Sequence, residues 1–143
     1  MGKPIVTRVI LSGVIIKDGK ALILKRSSGD AIFPGLWEIP GGKKGPGEDW
    51  ESALKREIKE ETDLTIKPLY TVNVFSYLVE TENDIRDATQ INFLAKIEGG
   101  KLRISKEHES YAWVDEEDLD KYRMSPSTKK VIKAAFKLTA QRT

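Results

Sequence analysis

Between Gly42 and Leu64 the chain reads GKKGPGEDWESALKREIKEETDL, and the stretch from Trp50 to Glu61 has the composition of a short helix. Gly45, Pro46 and Gly47 break the chain ahead of it, Asp49 stands as an N-cap, and Asp63 ends the run. At about 100° per residue, Trp50, Ala53, Leu54 and Ile58 fall on one side of the wheel, and Glu57, Glu60 and Glu61 overlap that side. Lys55, Lys59, Glu51 and Ser52 take the opposite face. A carboxylate turned toward a core loses hydration, and several together repel, so a divalent cation held between them resolves both costs. Oxygen ligands of this kind favour Mg²⁺ or Mn²⁺, and Mg²⁺ commonly shares its shell with substrate phosphates. The helix alone also supports a plainer reading, a solvated face on which Arg56 and Glu60 form an ion pair one turn apart.

The rest of the chain sets bounds on that helix. Its 143 residues fit one domain, 1–143, large enough to bury about two thirds of the unfolded surface. Lys and Arg number 24 against 22 Asp and Glu, a net charge of +2, too even for duplex nucleic acid or an anionic membrane as main partner. Without cysteine there is neither a disulfide framework nor a thiolate zinc site, and the expected compartment is the cytoplasm. The start, Met1-Gly2-Lys3-Pro4, lacks an apolar run of signal-peptide length, Val6 occupies the position where a myristoylation signal needs Ser or Thr, and no segment is long enough to span a bilayer.

Strand patterns flank the helix. Ile5 to Lys17 and Lys20 to Arg26 are rich in Val, Ile and Leu and meet at Asp18-Gly19, a hairpin signal. Thr65 to Glu80 and Thr89 to Ile97 read as further strands, connected through Glu82-Asn83-Asp84, and Gly99-Gly100 marks a turn. Glu116 to Tyr122 reads as a short helix and Pro126 opens a final one through Leu138. These elements alone give a mixed α/β fold.

Gly42, Glu48, Arg56-Glu57 and Glu60-Glu61, closed by the apolar Leu64, hold the spacing of the Nudix box, and the chain is identified as resembling the Nudix hydrolase superfamily, in particular its mutator-type (MutT-like) nucleoside triphosphate pyrophosphohydrolases. One constrained position departs: Asp63 stands where the family has glycine, at a helix exit that is often left-handed. The stretches Phe33 to Gly42 and Glu107 to Val114 extend the resemblance over most of the chain. It implies an α/β/α sandwich around a mixed sheet, with the box as loop, helix and loop. It further implies that Glu57, Glu60 and Glu61, with the backbone carbonyl of Gly41, bind one or more Mg²⁺ ions, with Glu107 joining them. Arg56 and Glu48 orient these acids, and the general base is Glu57 or Glu107.

Each assignment has a plainer alternative. Glu107-His108-Glu109 reads on its own as a solvated loop cluster, and His108, the single histidine, reads as a structural residue. Lys25 and Arg26 end the second strand where the family places contacts to substrate phosphate, or else they are a solvated strand end. Trp37, Phe33, Phe75 and Tyr77 offer a stacking surface or ordinary packing.

The expected reaction is cleavage of a nucleoside triphosphate to monophosphate and pyrophosphate by a monomer or homodimer. Thr128 stands nearest to the asparagine that reads the base in the oxidised-guanine branch, which weakens that substrate. Position 80 is Glu80 and no proline falls between Pro68 and Pro126, which ranks ADP-ribose lower. Dinucleoside polyphosphates and dihydroneopterin triphosphate stay open, as does a non-catalytic nucleotide sensor. A short, charge-balanced chain without a basic arm argues against RNA decapping.

Overall fold

A computed structural model describes residues 2–30 and 32–141. In chain order it contains β1 (Ile5–Lys17), β2 (Lys20–Arg26), β3 (Trp37–Glu38), β4 (Gly41–Lys43), α1 (Trp50–Thr62), β5 (Leu64–Glu80), β6 (Ile85–Gly100), β7 (His108–Val114), a 3₁₀ turn (Glu116–Lys121) and α2 (Pro126–Gln141).

Asp18 and Gly19 both take positive φ, 52° and 77°, so the two-residue link matches the twist of the strands it joins, and Lys17 pairs with Lys20. The long β1 continues past this hairpin and runs parallel to β6 from Ile5 opposite Ile85 to Ile15 opposite Ala95. The backbone order across the sheet is β3-β2-β1-β6-β5, with β4 added to β1 and β7 to β2.

Neighbouring residues of β1 and β2 belong to different cores. Leu11, Ile15, Leu22 and Leu24 pack with Ala53, Leu54 and Ile58 of α1, whereas Val14, Ala21 and Ile23 pack with Val131, Ile132 and Ala135 of α2. Side chains alternate across a strand, so the two helices cover opposite faces of one mixed sheet. That is the expected sandwich.

The ends of α1 are capped as its residues predict. Asp49 accepts from Ser52 N at 3.1 Å. Asp63 adopts the left-handed conformation at φ 61°, its N–H donating to Lys59 O at 2.8 Å, so the family's glycine site keeps its geometry with an aspartate in it.

Several boundaries differ from the sequence reading. β6 starts at Ile85 rather than Thr89, because parallel pairing with β1 stabilises a segment whose own residues, Arg86 and Asp87, carry no strand pattern. Gly99 and Gly100 do not form a separate turn; they pair with Thr65 and Leu64 and close the β5–β6 ladder. The stretch Glu116–Lys121 is a 3₁₀ turn. β3 and β4, of two and three residues, carry no periodicity and are defined only by the strands they join. No helix among the described residues is long and apolar enough to cross a membrane.

Candidate functional site

A cleft of about 440 Å³ opens where α1, the β3–β4 segment, the start of β7 and the β1/β6 floor meet. Glu38, Glu57, Glu61 and Glu107 all line it, from three separate stretches of chain.

Glu61 lies deepest, 5% exposed. Gly41 N donates to its Oε1 at 2.8 Å, and this is its one hydrogen bond to a donor among the described residues. Burial pushes the carboxyl up to about 9, and Glu38 and Glu107 push in the same direction while the Gly41 N–H only partly opposes them. Burial also raises Glu57, against the pull of Arg56. Metal-ligating atoms of Glu61, Glu107 and His108 lie within 4.8 Å of one another. A set of close carboxylates that raise one another's pKa values fits a hard divalent ion in its donor chemistry.

Arg56 organises the outer side. Its Nε and Nη2 bind Glu48 bidentately at 2.6 and 2.8 Å, Nη1 donates to Glu57 at 2.9 Å and to Glu60 at 3.3 Å, and Nη2 reaches Lys43 O at 3.2 Å. Glu48 in turn accepts from Gly45 N, and the Arg56 hydrogen bonds hold its carboxyl near 2. The guanidinium thus locks the Glu57 rotamer that faces the cleft.

One acid departs from the wheel. Glu60 does not line the cleft; its side chain is 58% exposed and is drawn outward by Arg56, the i,i+4 pair that the plainer reading named. A wheel assigns an angle, whereas a long side chain follows its ion-pair partner.

The two basic residues at the end of β2 also separate. Lys25 does not line the cleft and pairs with Glu109 at 3.5 Å, since consecutive strand residues face opposite ways. Arg26 lines it but has its donors committed to Ile32 O, Asp30 and Glu38. Both carry acid partners in the structure.

Glu38 was given no role by its sequence context. It lies between Trp37 and Ile39 on the two-residue β3, and its Oε2 sits 2.8 Å from His108 Nε2 and 3.2 Å from Arg26 Nη1. His108, with 1% of its side chain exposed, is therefore a structural residue that fixes Glu38. The only local signal was an acid amid apolar neighbours just ahead of Pro40-Gly41-Gly42.

A second cavity of about 250 Å³ adjoins the cleft. Phe33, Trp37, Phe75 and Tyr77 line it, together with Thr128 from the first turn of α2, while Trp37 also packs edge-on against Tyr122 at 5.0 Å. Phe33, Glu38, Tyr77, Gln90 and Thr128 border both spaces. An apolar, aromatic space opening into an acid-lined one accommodates a ring joined to a polyanion.

Comparison with known proteins places this geometry among relatives. The NUDIX domain family matches residues 7–135. The nucleoside triphosphatase NudI of Escherichia coli is 31% identical, the match covering 88% of this chain and 94% of that protein. Among solved structures, the MutT NUDIX hydrolase from Burkholderia pseudomallei superposes with a TM-score of 0.77 at 26% identity, covering 90% of this chain and 98% of its own. The E. coli ORF135 protein gives 0.69 at 27% identity, over 95% and 93%.

Proposed function

The chain belongs to the Nudix hydrolase family, which acts on phosphoanhydride bonds, and from that premise we propose that it hydrolyses a nucleoside triphosphate to the monophosphate and pyrophosphate, using Mg²⁺ with Mn²⁺ as a substitute. The observation that carries this reading is the carboxylate cluster of Glu57, Glu61 and Glu107 lining one cleft beside an aromatic cavity. The likeness to an enzyme named for nucleoside triphosphates supports the same substrate class.

Glu57, Glu61, Glu107 and the carbonyl of Gly41 hold the ion, with Glu60 joining from the rim, where Arg56 Nη1 ties it to Glu57. A divalent ion held by these residues would supply electrophilic stabilisation of the phosphoryl oxygens and activation of the attacking water. Glu57 or Glu107 takes the proton of the attacking water, Glu57 being the better fixed and having its carboxyl raised by burial. The aromatic cavity holds the base.

A panel of nucleoside triphosphates, dinucleoside polyphosphates and nucleotide sugars, incubated with Mg²⁺ and resolved by product, tests the reading. Pyrophosphate and monophosphate from triphosphates are expected. Binding without any product assigns the protein to the sensor class instead, and sequential release of orthophosphate overturns the proposed cleavage.

Arg56 acts by positioning. Arg56→Ala is expected to lower kcat/KM about 10- to 100-fold, and Arg56→Lys is expected not to restore it, because an ammonium cannot bind Glu48 bidentately while reaching Glu57. Recovery in the lysine variant, measured by steady-state kinetics, contradicts the assignment.

A further inference from the structure

We propose that Arg8, Arg86 and Lys43 form a subsite for the terminal phosphate of the substrate, making the cleft selective for a free polyphosphate end over an internal diphosphate diester. This deepens the triphosphate reading and rests on it for the identity of the substrate.

Sheet register brings the three cations together. Arg8 stands opposite Ala88 on the parallel β1–β6 pair, Arg86 lies two residues earlier on the same face of β6, and Lys43 of β4 pairs with Ile10, two residues from Arg8 on β1. All three line the acid-bearing cleft. They are also less paired than the other cleft arginines, Arg8 and Lys43 having no ion pair among the described residues and Arg86 one. The one hydrogen bond of Arg8 is to the carbonyl of its neighbour Thr7 at 3.4 Å, and it has no carboxylate within ion-pair distance among the described residues. Arg86 has a single long ion pair, Nε to Asp84 Oδ1 at 3.6 Å, beyond hydrogen-bond distance, and its side chain is 40% exposed. Arg26 and Arg56, in contrast, are saturated with acids.

The cleft thus carries acids from α1 and the segment before β7 together with a group of cations from β1, β4 and β6. Neighbouring like charges repel, and guanidinium N–H groups without a close acceptor are free to donate, so the arrangement is completed by an anion with several oxygens. The aromatic cavity shares its border with the cleft and includes none of the three cations. A ring seated in that cavity therefore has its phosphate chain in the cleft that Arg8, Arg86 and Lys43 line. A terminal phosphate carries up to about two charges near neutral pH, whereas each phosphate of a diphosphate diester carries one and lacks a free end.

Calorimetric titration of inorganic tripolyphosphate and of a nucleoside monophosphate into wild type and Arg8→Gln/Arg86→Gln tests this without turnover. Tripolyphosphate affinity is expected to fall about tenfold or more while monophosphate affinity stays within about twofold. With a triphosphate substrate, KM is expected to rise about tenfold with a smaller change in kcat. Unchanged tripolyphosphate affinity, or equal loss for both ligands, overturns the subsite. If the double variant does not fold, the single variants are read in the same way, and Arg8→Lys/Arg86→Lys is expected to retain most of the binding. A wild type that hydrolyses no triphosphate refutes the proposed function, and the tripolyphosphate titration still decides the subsite.

Discussion

Glu61→Gln is expected to lower kcat about 10³-fold while making the metal-free protein more stable at alkaline pH. The first effect follows from losing one anionic ligand, worth several kcal/mol of charge stabilisation in the transition state. The second follows from linkage. In the folded chain the Glu61 carboxyl keeps its proton up to about pH 9, against an ordinary value of 4.5 in the unfolded chain. Below 4.5 both states hold the proton and the group is neutral toward folding. From 4.5 to 9 the folded state binds more protons, so this group's contribution to stability declines as pH rises, and above 9 its whole cost is present. Glutamine keeps an oxygen for Gly41 N–H but carries no charge, so it removes that decline. Melting curves of metal-free protein across pH 5 to 9 are expected to fall for wild type more steeply than for the variant. Mg²⁺ at pH 8 is expected to raise the transition of wild type far more than that of Glu61→Gln. Equal slopes, or an undiminished rate, refute the role given to this carboxyl.

Gly42→Ala is expected to fold and yet to lose about 100-fold in kcat/KM, because a misplacement of about 1 Å in a catalytic group costs that much. The φ of Gly42 does not lie in the left-handed region, so conformational freedom is not why glycine stands there. The reason is space. A Cβ at this position would fall on the Glu57 carboxylate, with Glu57 Cγ 3.0 Å away. A side-chain end moves at little cost to the fold, but the one displaced here is the acid that Arg56 holds toward the cleft. Gly41→Ala provides the contrast, since its Cβ would meet the backbone of Leu11 and Ser12. That variant is expected to lose stability as well as activity. Thermal melts alongside steady-state kinetics separate the two, and an active Gly42→Ala protein sinks the explanation.

Both variants bear on a pattern already present in the linear chain. The helix, its Asp49 cap, the left-handed exit at Asp63 and the β1–β2 hairpin were legible because each rests on contacts within a few residues. The Arg56-to-Glu48 link was legible as a spacing, and the fold supplies its bidentate geometry. The outward turn of the Glu60 side chain was not legible, because its direction depends on Arg56 rather than on the helix angle. That Arg26 lines the cleft while Lys25 does not was not legible, because adjacency along a strand means opposite faces, and Asp30 and Glu38 reach Arg26 only in the folded chain.

By itself the sequence determined the family, the mixed α/β class and the identity of the acids on α1, since these follow from local propensity and fixed spacing. Only the tertiary structure decided that Glu38 and Glu107 meet Glu57 and Glu61 in one cleft, that His108 serves Glu38, and that Arg8, Arg86 and Lys43 face the same space. Those residues are brought together by pairing between strands far apart in the chain. Burial, which pushes Glu61 to about 9, is likewise a property of what surrounds a side chain and not of its neighbours in sequence.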